Sequence, residues 1–512
     1  MQLKAPEPQK PLKGYFFFAN SLHPRVKWWM DAHLRKLYFY CCILILSNVA
    51  NGFDGSMING LQSLPYWQIY FDHPKGSILG FFNASTSLGS IIGLPFIPPL
   101  LDRYGRKSGI VVGSLIVVLG LGLQSGALNL GMFVASRFLI GFGMVIATAA
   151  APLLVAELSH SQNRAILCTF MGISYGIGSF IASWVTFGTL KISSNWAWRL
   201  PSIILCFIWF IPESPRWYIS RDQPEKALEI LAYHQVNGNS RDEFIQLEYL
   251  EIRTSFMIDD NVKNTTKYTD FLRAPGNRKR IGIIAALSLF SQWSGNGLVS
   301  YYLTVFMNSI GITEAEDQLG INGGLQSWGL IVALTFAFLI GMLGRRPMYL
   351  IGTIGTLVTF VVWSILSARY SIKDEPGLGK GVVAMIFCYN FFYNFKTGIL
   401  SAYQIEILPY GLRAKGSVIA SFVILVAVFF NQYINSLALD AIGWKYYLFY
   451  CSFLGFEVSV VWKYIVETRY TPMEEVAKYF VGDRADVVEL TIAQKEKDDM
   501  EKEGKGEHME TV

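Results

Sequence analysis

Asp102-Arg103-Tyr104-Gly105-Arg106-Lys107 and Gly341-Met342-Leu343-Gly344-Arg345-Arg346 decide how the rest of the chain is read. Each is a short polar turn carrying arginine between two long apolar stretches, and each holds the same place in its half of the sequence. Further on, Glu157 precedes Arg164 by seven residues, and Glu406 precedes Arg413 by seven. Pro212-Glu213-Ser214-Pro215-Arg216 closes the first half, and Val466-Glu467-Thr468-Arg469 closes the second. Three correspondences in the same order mark an internal repeat. Two related halves with a site between them is the arrangement that follows.

Outward from these turns the composition is that of a membrane protein. Of 512 residues, 52% are apolar and 16% charged, against about 25% charged in a soluble domain. The apolar residues come in long blocks such as Ile110–Leu123 and Val418–Phe430. A helix needs about 20 apolar residues to cross a hydrocarbon core of about 30 Å. Stretches of that kind fall near 37–63, 78–100, 108–127, 131–155, 166–190 and 198–212, then near 281–308, 318–340, 348–368, 379–404, 416–438 and 445–465. The sequence thus predicts an all-α membrane protein with twelve spans in two six-helix bundles. Residues 1–36 form an N-terminal tail, 37–212 the first bundle, 213–280 a polar helical linker, 281–468 the second bundle and 469–512 a charged C-terminal tail. The sixth span is unusually short: the thirteen residues between Arg199 and Glu213 make about 20 Å of helix.

Composition excludes a disordered chain, a collagen-like chain and an ordinary soluble enzyme. The net charge of +5 is small and scattered, unlike a nucleic-acid surface. The six cysteines lie in apolar stretches without zinc-ligand or disulfide spacing and read as small hydrophobes. No GxxxxGK[ST] phosphate loop occurs; no metal and no cofactor is expected. Residues 1–36 lack a signal-peptide core and cleavage site, so the first span is expected to be its own insertion signal. Arg25, Lys27, Arg35 and Lys36 flank that span, and Arg273, Arg278, Lys279 and Arg280 end the linker. Both tails and the linker are therefore expected in the cytoplasm, with the protein in the plasma membrane.

The set of turns and pairs resembles the sugar porter family of the major facilitator superfamily, from about residue 37 to 480. Asn51-Gly52-Phe53-Asp54-Gly55, Ser291-Gln292-Trp293-Ser294-Gly295-Asn296-Gly297 and Asn431-Gln432-Tyr433-Ile434-Asn435 look like its fungal lactose-permease-like branch. The resemblance implies the major facilitator fold. The charges at the helix ends, Asp102, Arg103, Arg106, Glu157, Arg164, Glu213, Arg216, Arg345, Arg346, Glu406, Arg413 and Glu467, can form an ionic latch that breaks when the cytoplasmic side opens. The alternative is topology signalling with static salt bridges. The second copy departs from the family pattern, with Gly341 for an acid and Val466 for a proline, so its latch is expected to be weaker.

Ionisable residues inside a span are costly and therefore functional candidates. Asp54 lies in span one and Arg137 in span four. In the proton–sugar symporters that this chain resembles, matching positions form an Asp–Arg pair whose acid takes up the coupled proton. Burial and a neighbouring guanidinium pull an acid's protonation in opposite directions, so small changes of geometry swing the balance. A permanent structural pair is the alternative. Lys396 in span ten could snorkel, pair with an acid or alter substrate choice, and Glu457 in span twelve could be a packing anchor.

A sugar presents many hydroxyls and weakly apolar faces, so its site needs amides, hydroxyls and an aromatic platform. Gln292, Trp293 and Asn296 in span seven, with Gln432, Tyr433 and Asn435 in span eleven, are the candidates for substrate binding. Trp293 reads equally well as packing. Tyr301 and Tyr302 look like the outer-gate aromatics of the family. Gly172 and Gly329 fall where the family places polar contacts, so the first bundle is expected to contribute little hydrogen bonding. The whole implies a monomeric secondary transporter of a hexose or a disaccharide such as lactose, by proton symport and alternating access. Its partners are the sugar, protons and the lipid bilayer, with no nucleic acid, and it is not an enzyme. Two rivals stand beside it: a transporter-like sugar sensor, and an inactive paralogue or mis-spliced product with a truncated sixth span.

Overall fold

Backbone N–H and C=O groups in hydrocarbon find no water, so a long apolar stretch satisfies them within itself and becomes a helix. The computed structural model describes residues 15–18, 21–204, 214–221, 223–235, 241–265, 267–339, 343–373, 375–409, 412–468 and 479–480. Span one is the helix Ala32–Ser63, span two Gly76–Gly93 continued to Tyr104, span three Arg106–Ser125, span four Leu130–Leu158 and span five Arg164–Thr189. In the second half, span eight is Ala315–Leu339, span nine Arg345–Lys373, span ten Pro376–Ile407, span eleven Arg413–Ile442 and span twelve Tyr446–Tyr464. Among the described residues, eight helical segments are long and apolar enough to cross a membrane, the last joining spans eleven and twelve. The tail before span one also holds a two-stranded hairpin, Tyr15–Phe18 paired antiparallel with Ser21–Pro24. Helices Pro224–Gln235 and Glu243–Thr265 belong to the linker.

Span seven is not one helix. It runs from Pro275 to Trp293, breaks at Ser294 and Gly295, and resumes as Asn296–Tyr301 and Leu303–Ser309. Gly295 has φ +94°, and a β-carbon there would lie 2.5 Å from the Phe360 ring. Both the backbone angle and the space admit glycine alone.

Span six is described over Trp196–Ile204; residues 205–213, including Phe207–Phe210 and Glu213, lie outside the described residues, as do Gly341, Arg469 and the tail from 481. Its two ends are anchored. Gln124 near the end of span three donates to the Ser202 hydroxyl at 2.8 Å. Ser214 donates to Glu157, which pairs with Arg106 at the start of span three. Twelve residue steps of helix from Ser202 to Ser214 would reach about 18 Å, against about 27 Å for the eighteen steps from Arg106 to Gln124.

The linker docks on the loop between spans four and five. Arg164 pairs with Glu248 at 2.9 Å, and His160 stacks on Phe244 with ring centroids 5.0 Å apart. Burial pushes His160 down to about 4, so it stacks as a neutral ring at physiological pH.

Within the first bundle, backbones touch. A β-carbon at Gly52 would lie 1.9 Å from the Tyr175 carbonyl oxygen, and one at Gly178 would lie 1.9 Å from that of Val49. Spans two and four make the same exchange: a β-carbon at Gly141 would lie 1.9 Å from the Thr86 oxygen, and one at Gly89 2.1 Å from that of Phe138. Small residues at such crossings let membrane helices approach closely. Gly141→Ala and Gly178→Ala are expected to destabilise the detergent-solubilised protein by at least the ~1–3 kcal/mol typical of overpacking. Gly172→Ala, where nothing lies within 4 Å, is expected to melt with the unmutated chain. Equal melting temperatures for all three variants would refute the close-packing account.

Candidate substrate cavity and buried ion pairs

Two charges meet between spans one and four, each close in sequence to one of these glycines. Asp54 follows Gly52 by half a turn, and Arg137 precedes Gly141 by one turn of span four. Arg137 Nη1 donates to Asp54 Oδ1 at 2.5 Å, with the two residues 3% and 2% exposed. Neither charge is affordable alone at this depth. The pair lines a cavity of about 190 Å³ between the halves, with Asn51, Thr148, Tyr175, Tyr301 and Gln432 among its other walls. Tyr175 is 44% exposed although it sits within the bundle, because its ring faces this cavity.

The six residues expected to bind substrate are not brought to one place. Gln432 lines the cavity and accepts a hydrogen bond from Ser87 of span two at 2.5 Å. Its neighbour Tyr433 lines a separate hollow with Ile78, Phe81 and Val134. The Trp293 indole donates to the Ala427 carbonyl at 3.0 Å, and its ring lines another cavity with Asn435, Phe430 and Phe449. Asn435 is fully buried and accepts from Tyr446 and Tyr450 at 2.8 and 2.6 Å. Gln292 hydrogen-bonds Ser291 at 3.3 Å, and Asn296 donates to the Tyr393 hydroxyl at 2.5 Å. Adjacent residues on a helix point about 100° apart, and here Gln432 faces the central cavity while Tyr433 faces the separate hollow. Tyr175, Asn51 and Thr148 were missed by sequence reasoning. Their signal was polarity on the inward face of otherwise apolar spans. The first bundle supplies many of the cavity's polar groups, against the expectation drawn from Gly172 and Gly329.

At the face away from the linker the halves are joined. Asn59 donates to the carbonyls of Val299 and Ser300 at 3.1 and 2.7 Å, and Gln62 to that of Tyr301 at 3.1 Å. Ser63 and Thr304 share a hydrogen bond of 2.7 Å. Tyr302, fully buried, donates to the Gln432 carbonyl. Span one thereby grips the outer part of span seven, beside both expected gate tyrosines.

At the linker face the latch residues pair within each half. Arg106 binds Glu157 at 3.3 Å, and Ser214 donates to the same carboxylate. In the second half Arg345 binds Glu406 at 2.9 Å, and Thr468 donates to it at 2.5 Å. The repeat seen in sequence is thus a repeated arginine–glutamate–hydroxyl cluster. Glu157 pairs with Arg106 and not with Arg164, which turns to linker Glu248; Arg413 donates to the Leu408 carbonyl at 3.2 Å. The carbonyls of Asp102 and Arg103 accept from Arg221 at 3.4 and 2.6 Å. Arg346 donates to the Trp462 carbonyl at 3.0 Å. Arg216 makes no ion pair with a described residue. Glu467 accepts from the backbone N–H groups of Arg345 and Arg346 at 2.9 and 3.1 Å, a carboxylate at a helix N-terminus. Val466 N–H donates to Tyr403 at 3.1 Å, a bond that proline could not make.

The sequence model of the family described as "Sugar (and other) transporter" matches residues 40–480. The chain belongs to this sugar porter family. It is 25% identical over 480 residues to the high-affinity glucose transporter of Kluyveromyces lactis, covering 88% of this chain and 86% of that one. It is 29% identical over 357 residues to the MFS-type transporter criB of Aspergillus cristatus, covering 68% and 76%. The inward open conformation of the xylose transporter XylE from E. coli superposes with a TM-score of 0.71 at 21% identity, over 87% of this chain and all of that one. The fold is that of the major facilitator superfamily, and the relatives are transporters, not enzymes.

This sugar porter carries a second ion pair inside its second bundle. Lys396 Nζ lies 2.7 Å from Glu457 Oε1, with the residues 1% and 0% exposed. Ser294, at the break of span seven, closes the triangle: Lys396 donates to its hydroxyl at 2.6 Å, and the hydroxyl donates to Glu457 at 2.6 Å. Tyr389 donates to the Ser294 carbonyl at 2.9 Å. The lysine and glutamate that the sequence left separate thus pin the broken span to spans ten and twelve. Lys396→Met leaves a buried carboxylate unpaired and is expected to cost about 3–5 kcal/mol, read as lost surface protein and a lower melting temperature. Replacing both partners, Lys396→Met with Glu457→Leu, is expected to recover most of that loss. A double variant as unstable as the single one would show that the two charges do not stabilise each other.

Proposed function

We propose that this sugar porter is a secondary active transporter that moves a sugar together with protons by alternating access, Asp54 being the proton carrier and Arg137 its partner. The observation that supports it is the placement of the pair in the wall of a cavity between the halves, beneath a closed face. A carboxylate held by one guanidinium in a cavity wall can exchange its ion pair for a proton when the cavity changes its access. Tyr301 and Tyr302, tied to spans one and eleven, act as the gate on the closed face. The arginine–glutamate clusters hold each half rigid at the other face, which is the cytoplasmic one, with both tails and the linker on that side of the plasma membrane. The protein works as a monomer. A structure related in fold is titled as a proton:xylose symporter, which fits this reading. The short stretch between Ser202 and Ser214 is the observation that favours an inactive product instead, and uptake by the unmutated chain separates the two.

Asp54→Asn keeps the shape of the side chain and removes its titration. Accumulation against a gradient and sugar-induced alkalinisation are expected to vanish, while sugar exchange between equilibrated compartments persists at the same surface level of protein. Arg137→Lys keeps the charge without the planar fork, and coupling is expected to weaken with a shifted pH dependence. Unchanged alkalinisation in Asp54→Asn would remove Asp54 from coupling. Sugar entry without alkalinisation in the unmutated chain would make the protein a facilitator.

A further inference from the structure

Where span seven breaks inside the membrane, a helix end leaves carbonyls to be satisfied and no water to satisfy them. Side chains of the second bundle take that place. The Gln292 carbonyl accepts from Asn431 at 2.8 Å, and the Ser294 carbonyl from Tyr389 at 2.9 Å. Tyr393 stands across the break: its hydroxyl donates to the Ser291 carbonyl on one side and accepts from the Asn296 amide on the other, both at 2.5 Å. Lys396 Nζ lies 5.5 Å from the centre of the same ring. The Lys396–Glu457 pair holds the Ser294 hydroxyl, whose single proton has two acceptors in reach, Glu457 and the Phe290 carbonyl one turn back. None of the three side chains lines the central cavity. Apolar residues of the same size would hold the bundle as well as a buried ion pair does, so stability does not account for these charges. Their hydrogen bonds converge on the residue at which span seven breaks.

We propose that Lys396 and Glu457 are positioning residues for transport: through Ser294 they hold the end of the inner segment of span seven as a fixed pivot, about which the outer segment with Tyr301 and Tyr302 opens and closes. The proposal rests on the transport reading above and gives neither residue a contact with sugar or coupled proton. The carbonyl end of a helix carries partial negative charge, so Lys396 belongs there, and Glu457 balances the cation. Gly295, at φ +94°, is the backbone position between the segments that takes up a change of angle. The Ser294 proton can turn from Glu457 to the Phe290 carbonyl while Lys396 still donates to the hydroxyl oxygen. The tether therefore persists through the motion. Without it the outer segment closes along many paths instead of one, which slows the gate and leaves the cavity, built from other residues, as it was.

The test expresses the full chain in cells lacking their own sugar carriers and measures uptake of labelled D-glucose, D-xylose, myo-inositol and lactose. The best of the four is then used with two variants. Ser294→Ala leaves Lys396 and Glu457 paired and removes only their link to span seven; Lys396→Met with Glu457→Leu removes the charges together. Each is expected to lower the maximal rate per surface molecule about tenfold, the size of one lost hydrogen bond. Equilibrium binding of the same sugar to the solubilised protein is expected to stay within about threefold, and the alkalinisation per sugar transported is expected not to change. Either variant that melts with the unmutated chain decides the matter. A full maximal rate in that variant overturns the positioning role. Weakened sugar binding in proportion to the lost rate overturns it too, and so does a changed ratio of protons to sugar. A rate that falls only in step with the melting temperature shows a structural brace and nothing more. No uptake of any of the four sugars by unmutated protein at the cell surface refutes the transport reading itself.

Discussion

A carboxylate and a guanidinium at bilayer depth are tolerable only in each other's company, and the bond between Asp54 and Arg137 imposes that condition on the first bundle. Spans one and four have to stay within hydrogen-bond reach of each other at one level. The glycine exchanges pack span one on span five and span two on span four backbone to backbone, and the ion pair ties span one to span four. The cavity lies beside the pair because Tyr175 and the span-two face turn inward at the same level. Arg137 is not fully spent on Asp54, since its Nε has no partner.

The two halves repeat this chemistry at one face and diverge inside. Each ends spans three or nine, four or ten, and six or twelve in an arginine, a glutamate and a hydroxyl that meet. The second half also turns Glu467 onto the N-terminus of span nine. Gly341 lies outside the described residues, while Val466 contributes a backbone bond of its own, so the altered motif is well satisfied. In the membrane interior the first half places its ion pair on a cavity wall. The second half seals Lys396 and Glu457 behind Ser294, at the point where span seven breaks. One pair borders the path between the halves, and the other braces the element that breaks beside it.

Much of this was legible along the chain. Apolar length located the helices, although span one begins at Ala32 and span ten runs from Pro376 to Ile407, several residues beyond their apolar cores. Helices outrun the hydrocarbon wherever nothing interrupts their backbone bonding. Asp54, Arg137, Lys396 and Glu457 stood out as charges in apolar surroundings, and each has an opposite charge beside it. The substrate candidates were read less well. They were taken as runs of neighbouring residues, and the fold sends Gln432, Tyr433 and Asn435 to three different cavities.

The sequence by itself determined that the chain is a membrane protein, that it is built twice, and that its buried charges need partners. These follow from apolar length, repeated motifs and the cost of an isolated charge, all of which are local. The tertiary structure decided which partner each charge takes: Arg106 and not Arg164 for Glu157, and Glu457 for Lys396 across 61 residues of chain. It also decided that the polar face of span two, and not the tryptophan of span seven, looks into the central cavity. Those outcomes depend on which helices are neighbours and how each is rotated about its axis, and both are set by contacts between distant segments.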